Sequence, residues 1–323
     1  MELTLWITTA LMGVLAISQA LGSTPLIVLF VGHAITWYAL APALPIAIVA
    51  AVTRVDGWWL LVVVNAAIAA AHAALLWPVL RHERAPAPAP EDPSFSLVFA
   101  NTYYENERTA DTAAALLDLD PDVIALAEYT PDMESSLRAK GAFERYRFQV
   151  GAADVTRDGI VLMSKLPLMD GVHHRIGDVP GVDATLDVEG RAVRVLVVHP
   201  LAPLHRRDLR SWRRDLATYR QLLSAAADGP APMVVVGDFN AARGHPELRA
   251  LVDRTPFRSA HEWLGRGFST SWPIDGVMPP FVRIDHAFVH ALVPVRVDDL
   301  DTPGSDHRGF ELRCSVPRTA TGR

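Results

Sequence analysis

The sequence predicts an α/β domain preceded by three membrane-spanning helices. Three observations carry that expectation. Long apolar stretches fill the first ninety residues. Beyond them, short apolar runs alternate with segments of helical spacing. Six of those runs each deliver a metal-competent or proton-transferring side chain at or near one end: Asn101, Glu128, His199, Asp238, Asp285 and His307.

The apolar stretches at 3–21, 25–52 and 57–80 contain no Asp, Glu, Lys or Arg. Each can cross a hydrocarbon core of ~30 Å, which takes about 20 helical residues. A cleaved signal peptide fits poorly, because no basic segment precedes the first stretch and two more follow. Pro42 and Pro45 can kink the second span. Trp37, Tyr38, Trp58 and Trp59 lie towards span ends, where amphipathic rings favour the membrane interface. His33, Asn65 and His72 fall within spans, and a helix–helix hydrogen bond accounts for such residues without a functional role. With the N-terminus inside, Arg54 is cytoplasmic while Arg81 and Arg84 are not, so loop charge leaves the orientation open.

The alternating Ala-Pro run at 85–90 reads as an extended, semi-rigid linker. It is expected to set the following domain off the bilayer by roughly 3 Å per residue. The expected organisation is therefore a membrane region at 1–82, a linker at 83–93, a catalytic domain at 94–316 and a disordered tail at 317–323.

Residues 1–90 balance Arg54, Arg81 and Arg84 against Glu2, Asp56 and Glu83, so the net charge of −6 lies wholly beyond them. A mildly acidic domain lacks the Lys/Arg excess that replaces counterions on a phosphate backbone, which disfavours nucleic acid as a partner. The single cysteine, Cys314, excludes an intramolecular disulfide and a Cys-rich zinc site. It is expected to be a small buried hydrophobe.

In chain order, 94–100 reads as a strand ending at Asn101, and 108–118 as a helix with Ala113, Leu116 and Leu117 on one face. Asp120-Pro121-Asp122 breaks that helix before a strand at 123–127 that ends at Glu128. Strands follow at 159–164 and at 191–198, the latter ending at His199, then a helix at 211–227. The run Val234-Val235-Val236-Gly237-Asp238-Phe239-Asn240 has the apolar continuity of a strand buried on both faces. Gly237 is expected to let the chain turn there, with Asp238 and Asn240 at the strand tip. A strand at 281–290 carries Asp285, and Gly304-Ser305-Asp306-His307 leads into the last strand at 309–315.

Asn101, Ala127-Glu128, the Gly-Ile-Val-Leu-Met-Ser-Lys at 159–165, His199, Gly-Asp-Phe-Asn at 237–240, Arg-Ile-Asp-His at 283–286 and Ser-Asp-His-Arg at 305–308 resemble the endonuclease/exonuclease/phosphatase superfamily. The resemblance covers about residues 94–316. It implies a four-layered αββα sandwich of two mixed sheets and hydrolysis of phosphoester or phosphoanhydride bonds with a divalent cation. Oxygen donors without cysteine suit Mg²⁺ or Mn²⁺. By the resemblance, Glu128 is the principal metal ligand, with Asn101 and Asp306 helping to hold the metal or its waters. Asp238 orients or deprotonates the attacking water, Asn240 donates to a phosphate oxygen, and His307 contacts the phosphoryl group while Asp285 accepts its other N–H. His199 is a second donor to the transition state. Where the family pattern has Gln before the metal-binding glutamate, this chain has Ala127, and no acidic partner for His199 is evident. Lys165 reads equally as a site residue and as an exposed strand end.

The segment 200–207 and the following Trp212-Arg213-Arg214 are basic for so acidic a domain. Arginine suits bidentate phosphate binding, while a solvated helix start explains the run equally. The His-Pro-x-x-Pro start at 199–203, Ser271-Trp272-Pro273 and the apolar stretches together resemble a membrane-anchored bacterial subset similar to the VanJ glycopeptide-resistance proteins. That subset implies a polyprenyl diphosphate substrate and a multi-pass plasma-membrane protein whose catalytic domain faces out of the cytoplasm. Two alternatives stand beside this expectation: a Mg²⁺-dependent nuclease, and a catalytically retired membrane binding or sensor protein.

Overall fold

The computed structural model describes all residues except 82–84, 228, 230, 275, 277–278 and 319–323. The expected tail at 317–323 therefore lies mostly outside the described residues. Five helices come first: α1 (Glu2–Leu21), α2 (Ile27–Ala34), α3 (Thr36–Ala39), α4 (Ala43–Thr53) and α5 (Trp58–Leu80). The chain then alternates through β1 (Ser94–Asn101), α6 (Thr109–Asp118), β2 (Val123–Ala127), α7 (Pro131–Ala139), α8 (Ala142–Arg145), β3 (Phe148–Ala152) and β4 (Ile160–Ser164). Next come β5 (Leu168–Ile176), β6 (Val179–Val188), β7 (Arg191–Val198), α9 (Arg206–Ala227), β8 (Met233–Asp238) and α10 (Pro246–Asp253). The last elements are β9 (Arg258–Ser259), α11 (Ala260–Trp263), β10 (Asp285–His290), β11 (Val293–Asp301) and β12 (Arg308–Ser315).

The strands form two six-stranded sheets, ordered β11-β12-β1-β2-β4-β3 and β5-β6-β7-β8-β10-β9. Both are mixed: β1 and β2 run parallel, as do β7 and β8, and the other pairs are antiparallel. Side chains alternate between faces along a strand, and here both faces are apolar. Phe95, Leu97 and Phe99 of β1 join Val193, Val195 and Val197 of β7 in the core between the sheets, where Cys314 also lies buried. Val98 and Ala100 face Leu116 and Leu117 of α6, while Leu196 and Val235 face Leu216 and Leu223 of α9. The expected four-layered sandwich is thus present.

This topology gathers the site. The parallel pairs β1/β2 and β7/β8 end at Asn101, Glu128, His199 and Asp238. Because β10 is antiparallel to β8, its first residue, Asp285, lies opposite Asp238. Likewise β12 runs antiparallel to β1, so the residue before it, His307, arrives at the same edge.

Three helices are long and apolar enough to cross a membrane: Glu2–Leu21, Thr36–Thr53 and Trp58–Leu80. The second is shorter than the expected 25–52. Its first part is instead α2, which packs on the sandwich: Phe30 meets Trp212 edge-on with ring centroids 5.2 Å apart and tilts over His245 at 4.5 Å. The chain breaks between α3 and α4, where Pro42 caps α4. His33 bonds to Ser18 at 2.7 Å and Thr24 at 2.8 Å, and Asn65 donates to Thr9 across α1 and α5 at 2.8 Å.

The linker does not hold the sandwich away. Gln19 donates to the Gly244 carbonyl at 2.7 Å, Thr24 to Glu247 at 2.7 Å and Tyr38 to the Phe281 carbonyl at 3.0 Å. At the far end of the bundle, Trp6 packs on Gly57, leaving the sandwich and the N-terminus at opposite ends of the helices.

Two glycines mark close backbone approaches. Gly237 lies inside β8 rather than at a turn, and a Cβ there would fall 2.1 Å from the Val198 carbonyl oxygen. At Gly244 a Cβ would fall 1.9 Å from the His33 carbonyl oxygen of α2. Gly244→Val should therefore lower the melting temperature of the full chain in detergent, since overpacking costs typically ~1–3 kcal/mol. An unchanged melt would contradict the docking of α2 on the sandwich.

Candidate active site

Three residues at the site edge adopt the left-handed backbone conformation: Tyr103 at φ 59°, Glu128 at φ 52° and Asn240 at φ 48°. Such values are uncommon outside glycine, and cluster where surrounding structure enforces them. At Glu128 the turn accompanies two contacts: Oε2 accepts the Tyr104 N–H at 2.9 Å and Oε1 accepts Asn101 Nδ2 at 3.2 Å. Asn101 Nδ2 also donates to Asp238 Oδ2 at 3.1 Å, while its Oδ1 accepts the Tyr103 N–H at 3.0 Å. Asn101 therefore bridges two buried carboxylates as a donor, one from each sheet.

Asp238 Oδ1 accepts the Asn240 N–H at 2.8 Å. His199 Nε2 lies 3.7 Å from Glu128 Oε1 and 3.6 Å from Asp238 Oδ2. Its Nδ1 donates to the Arg157 carbonyl at 3.2 Å. The hydrogen-bond partner of Nδ1 is thus a backbone oxygen, which no side-chain pattern could disclose, while the acids nearest Nε2 are Glu128 and Asp238 themselves. His307 Nδ1 donates to Asp285 Oδ2 at 2.9 Å, and Nε2 lies 3.7 Å from Asp238 Oδ2 and 3.8 Å from Asp306 Oδ1. Asp306 Oδ2 accepts Trp272 Nε1 at 3.0 Å. Asn240 Nδ2 donates to the Pro200 carbonyl at 2.9 Å, which occupies one of its two amide hydrogens and leaves the other.

All eight expected residues, Asn101, Glu128, His199, Asp238, Asn240, Asp285, Asp306 and His307, are drawn into this group. Lys165 is not. It lies at the opposite end of β4, where Nζ pairs with Asp120 at 2.5 Å. Tyr103, Tyr104, Arg157 and Trp272 join the site, and none was expected to touch it. Trp272 carries the one legible signal, as part of the Ser271-Trp272-Pro273 that contributes to the resemblance to the membrane-anchored subset.

Electrostatics follow from the crowding. Burial raises the Asp238 carboxyl pKa to about 6, with Asp285 adding to the rise and His307 and His199 opposing it. Burial works against the charged form of His307, but Asp285 and Asp238 outweigh it and push the pKa up to about 10. Both acids thus favour the charged imidazole, in which both ring nitrogens carry hydrogen.

Two groups of possible metal ligands share the site. Asp238, Asp285 and His307 offer ligand atoms within 4.8 Å of one another. Glu128, hydrogen-bonded to Asn101, and Asp306, which lines the same cavity, offer oxygen donors of the hard type that Mg²⁺ or Mn²⁺ favours. Four carboxylates share the cluster, and Asp285 Oδ1 is buried without a hydrogen-bond partner. This donor set suits a divalent cation.

Glu128, His199, Asp238, Asn240, Asp306 and His307 line a cavity of about 290 Å³. The same cavity is lined by apolar residues, Phe30 and Ala34 of α2 with Leu201, Leu204, Val282 and Ile284 of the sandwich.

The sequence profile of the Endonuclease/Exonuclease/phosphatase family matches residues 98–307. No curated protein matches the chain. Among solved structures, D. rerio TDP2 complexed with a single-strand DNA product is similar at 16% identity and TM-score 0.57, covering 69% of this chain and 99% of that one. An endonuclease/exonuclease/phosphatase from Beutenbergia cavernae DSM 12333 aligns at 17% identity and TM-score 0.55, covering 69% and 72%. A family protein from Bacteroides thetaiotaomicron aligns at 14% identity and TM-score 0.55, covering 71% and 100%. At these identities the likeness is one of fold.

Replacing Asp285 with Asn should lower the His307 pKa from about 10 towards the ordinary 6.5, by at least ~1 unit. Ring-proton NMR of the metal-free protein reads this. Because the folded value lies above the ordinary one, the pair's contribution to stability is complete below about pH 6.5 and fades as pH rises towards 10. An unmoved titration in a folded variant would contradict the pairing.

Proposed function

The chain belongs to the endonuclease/exonuclease/phosphatase family, and we propose that within it this protein is a membrane-anchored phosphohydrolase acting on a lipid-linked phosphate. Members of the family are metal-dependent hydrolases of phosphoester bonds. The observation that carries the substrate class is the cavity's mixed lining. It combines the ionic cluster with apolar residues partly supplied by α2, next to helices long enough to cross a membrane. A phosphate head on an apolar chain, such as a polyprenyl diphosphate, matches both kinds of lining. Tethering at the bilayer also raises the effective concentration of such a substrate.

In this reading Glu128 is the principal metal ligand, with Asn101 and Asp306 beside it. A bound Mg²⁺ or Mn²⁺ supplies charge stabilisation for the phosphoryl and leaving oxygens. Asp238, with its raised pKa near neutrality, holds the attacking water and takes its proton as the new P–O bond forms and the bond to the leaving oxygen breaks. His307 stays protonated through Asp285 and donates from Nε2 to the phosphoryl group, which lowers the charge developing there. His199 and the free amide hydrogen of Asn240 are further donors. Asn101 holds Glu128 and Asp238 in register. Orientation follows the outward placement expected for the membrane-anchored subset, with the N-terminus on the other side.

A nuclease is the competing reading. The fold likeness to D. rerio TDP2 with its DNA product favours it, and the net charge of −6 opposes it.

The full chain in detergent with Mg²⁺ should release phosphate from polyprenyl diphosphate and leave supercoiled plasmid intact. Glu128→Ala, Asp238→Ala and His307→Ala should each cut turnover by at least ~10²-fold. Nicking without phosphate release would turn the assignment to a nuclease. Near-normal turnover in folded Glu128→Ala would overturn the metal assignment.

A further inference from the structure

A second cavity, of about 760 Å³, opens where the end of α1 meets α9 and α10. It shares no lining residue with the active-site cavity. Six arginines line it: Arg207, Arg210, Arg213, Arg214 and Arg220 from α9, and Arg254 after α10. Arg207, Arg210, Arg213 and Arg214 are spaced at three- and four-residue intervals, and Arg220 follows seven residues after Arg213, so the five lie along one side of α9. Like charges three or four residues apart on a helix repel one another.

Acidic neighbours relieve only part of this. Arg214 pairs with Asp178 at 2.7 Å, and Arg213 lies 3.4 Å from Glu247 and donates to Ser23 at 2.8 Å. Glu247, the one acid in the lining, is also taken up by the Thr24 amide and hydroxyl, both at 2.7 Å. Among the described residues, Arg207, Arg210, Arg220 and Arg254 make no ion pair. The cavity therefore holds four uncompensated guanidinium groups, whose planar forks suit phosphate oxygens.

Its position selects the source of that phosphate. The rim includes Gly22 and Ser23, directly after α1, whose Ile17 and Leu21 are exposed at 62% and 76%. Those apolar side chains continue the face that fits lipid. We infer that this arginine-walled cavity binds the phosphate headgroup of an anionic membrane lipid, whose acyl chains lie along the end of α1. The site is separate from catalysis and seats the sandwich on the leaflet beside it. The inference rests on the membrane anchoring proposed above.

The test uses the full chain reconstituted in phosphatidylcholine vesicles with and without phosphatidylglycerol, then repurified and assayed for retained lipid. The comparison is a variant with Arg207, Arg210, Arg220 and Arg254 all changed to Gln, and a second with Arg210→Glu alone in case the first misfolds. The wild type should retain at least ~10-fold more phosphatidylglycerol than the fourfold variant, since each basic residue near an anionic surface contributes about 1 kcal/mol. Phosphatidylcholine retention should not change. Equal phosphatidylglycerol retention in wild type and folded variants would overturn the inference while leaving anchoring intact. Displacement of the lipid by millimolar inorganic phosphate would assign the cavity to a free anion instead. Failure of the wild type to resist alkaline extraction from phosphatidylcholine vesicles would remove the anchoring, and this inference with it.

Discussion

Four carboxylates, those of Glu128, Asp238, Asp285 and Asp306, share one partly buried cleft, and the cost of holding them together shapes the rest of the site. Charges out of water are expensive unless paired. The chain meets that cost with Asn101 Nδ2 between Glu128 and Asp238, with His199 within 3.7 Å of both, and with His307 between Asp285 and Asp238. The same crowding keeps His307 protonated and lifts Asp238 towards neutrality. In the proposed reading, a cation-binding set and a proton-accepting carboxylate thus come from one electrostatic arrangement. Only a rigid frame can maintain it, and the two parallel strand pairs at the sheet centres provide that frame.

The second constraint is the docking of α2. Its backbone approaches Gly244 too closely for any side chain there, and Phe30 seats against Trp212 and His245. The bundle and the sandwich therefore share one wall of the active-site cavity. The Ala-Pro run joins two parts already in contact, and Pro86 and Pro88 lie near Trp263 and Pro294 of the sandwich. The proposed substrate, with its apolar chain, would meet membrane-region and sandwich residues together.

The most legible part of the sequence was the set of central strands. β1, β2, β4, β7, β8 and β12 are buried on both faces or nearly so, and their apolar runs stand out. Their polar ends located the site, because strands of one sheet that end at one edge must bring those ends together. The strands not foreseen lack that signature. β5 is exposed along most of its length at a sheet edge, β6 alternates and carries Pro180 and Gly181, and β9 has two residues. The expected strand at 281–290 begins only at Asp285, because Phe281 and Val282 pair with Trp272 instead. Hydropathy alone could not separate α2 from a spanning helix, since protein and lipid contacts demand the same apolar residues. The carbonyl partner of His199 and the close approach at Gly237 are backbone features without a side-chain pattern.

The central claim is that α2 helps recognise an apolar chain attached to the phosphate. The most direct measurement compares kcat/KM for a polyprenyl diphosphate and a short, water-soluble diphosphate ester, using the full chain and its Phe30→Ala variant. Phe30→Ala should lose about tenfold or more for the long substrate, in the range set by removing apolar contacts from a binding pocket, with the short one unaffected. Equal effects on both substrates, or no preference for the long one in the wild type, would contradict it.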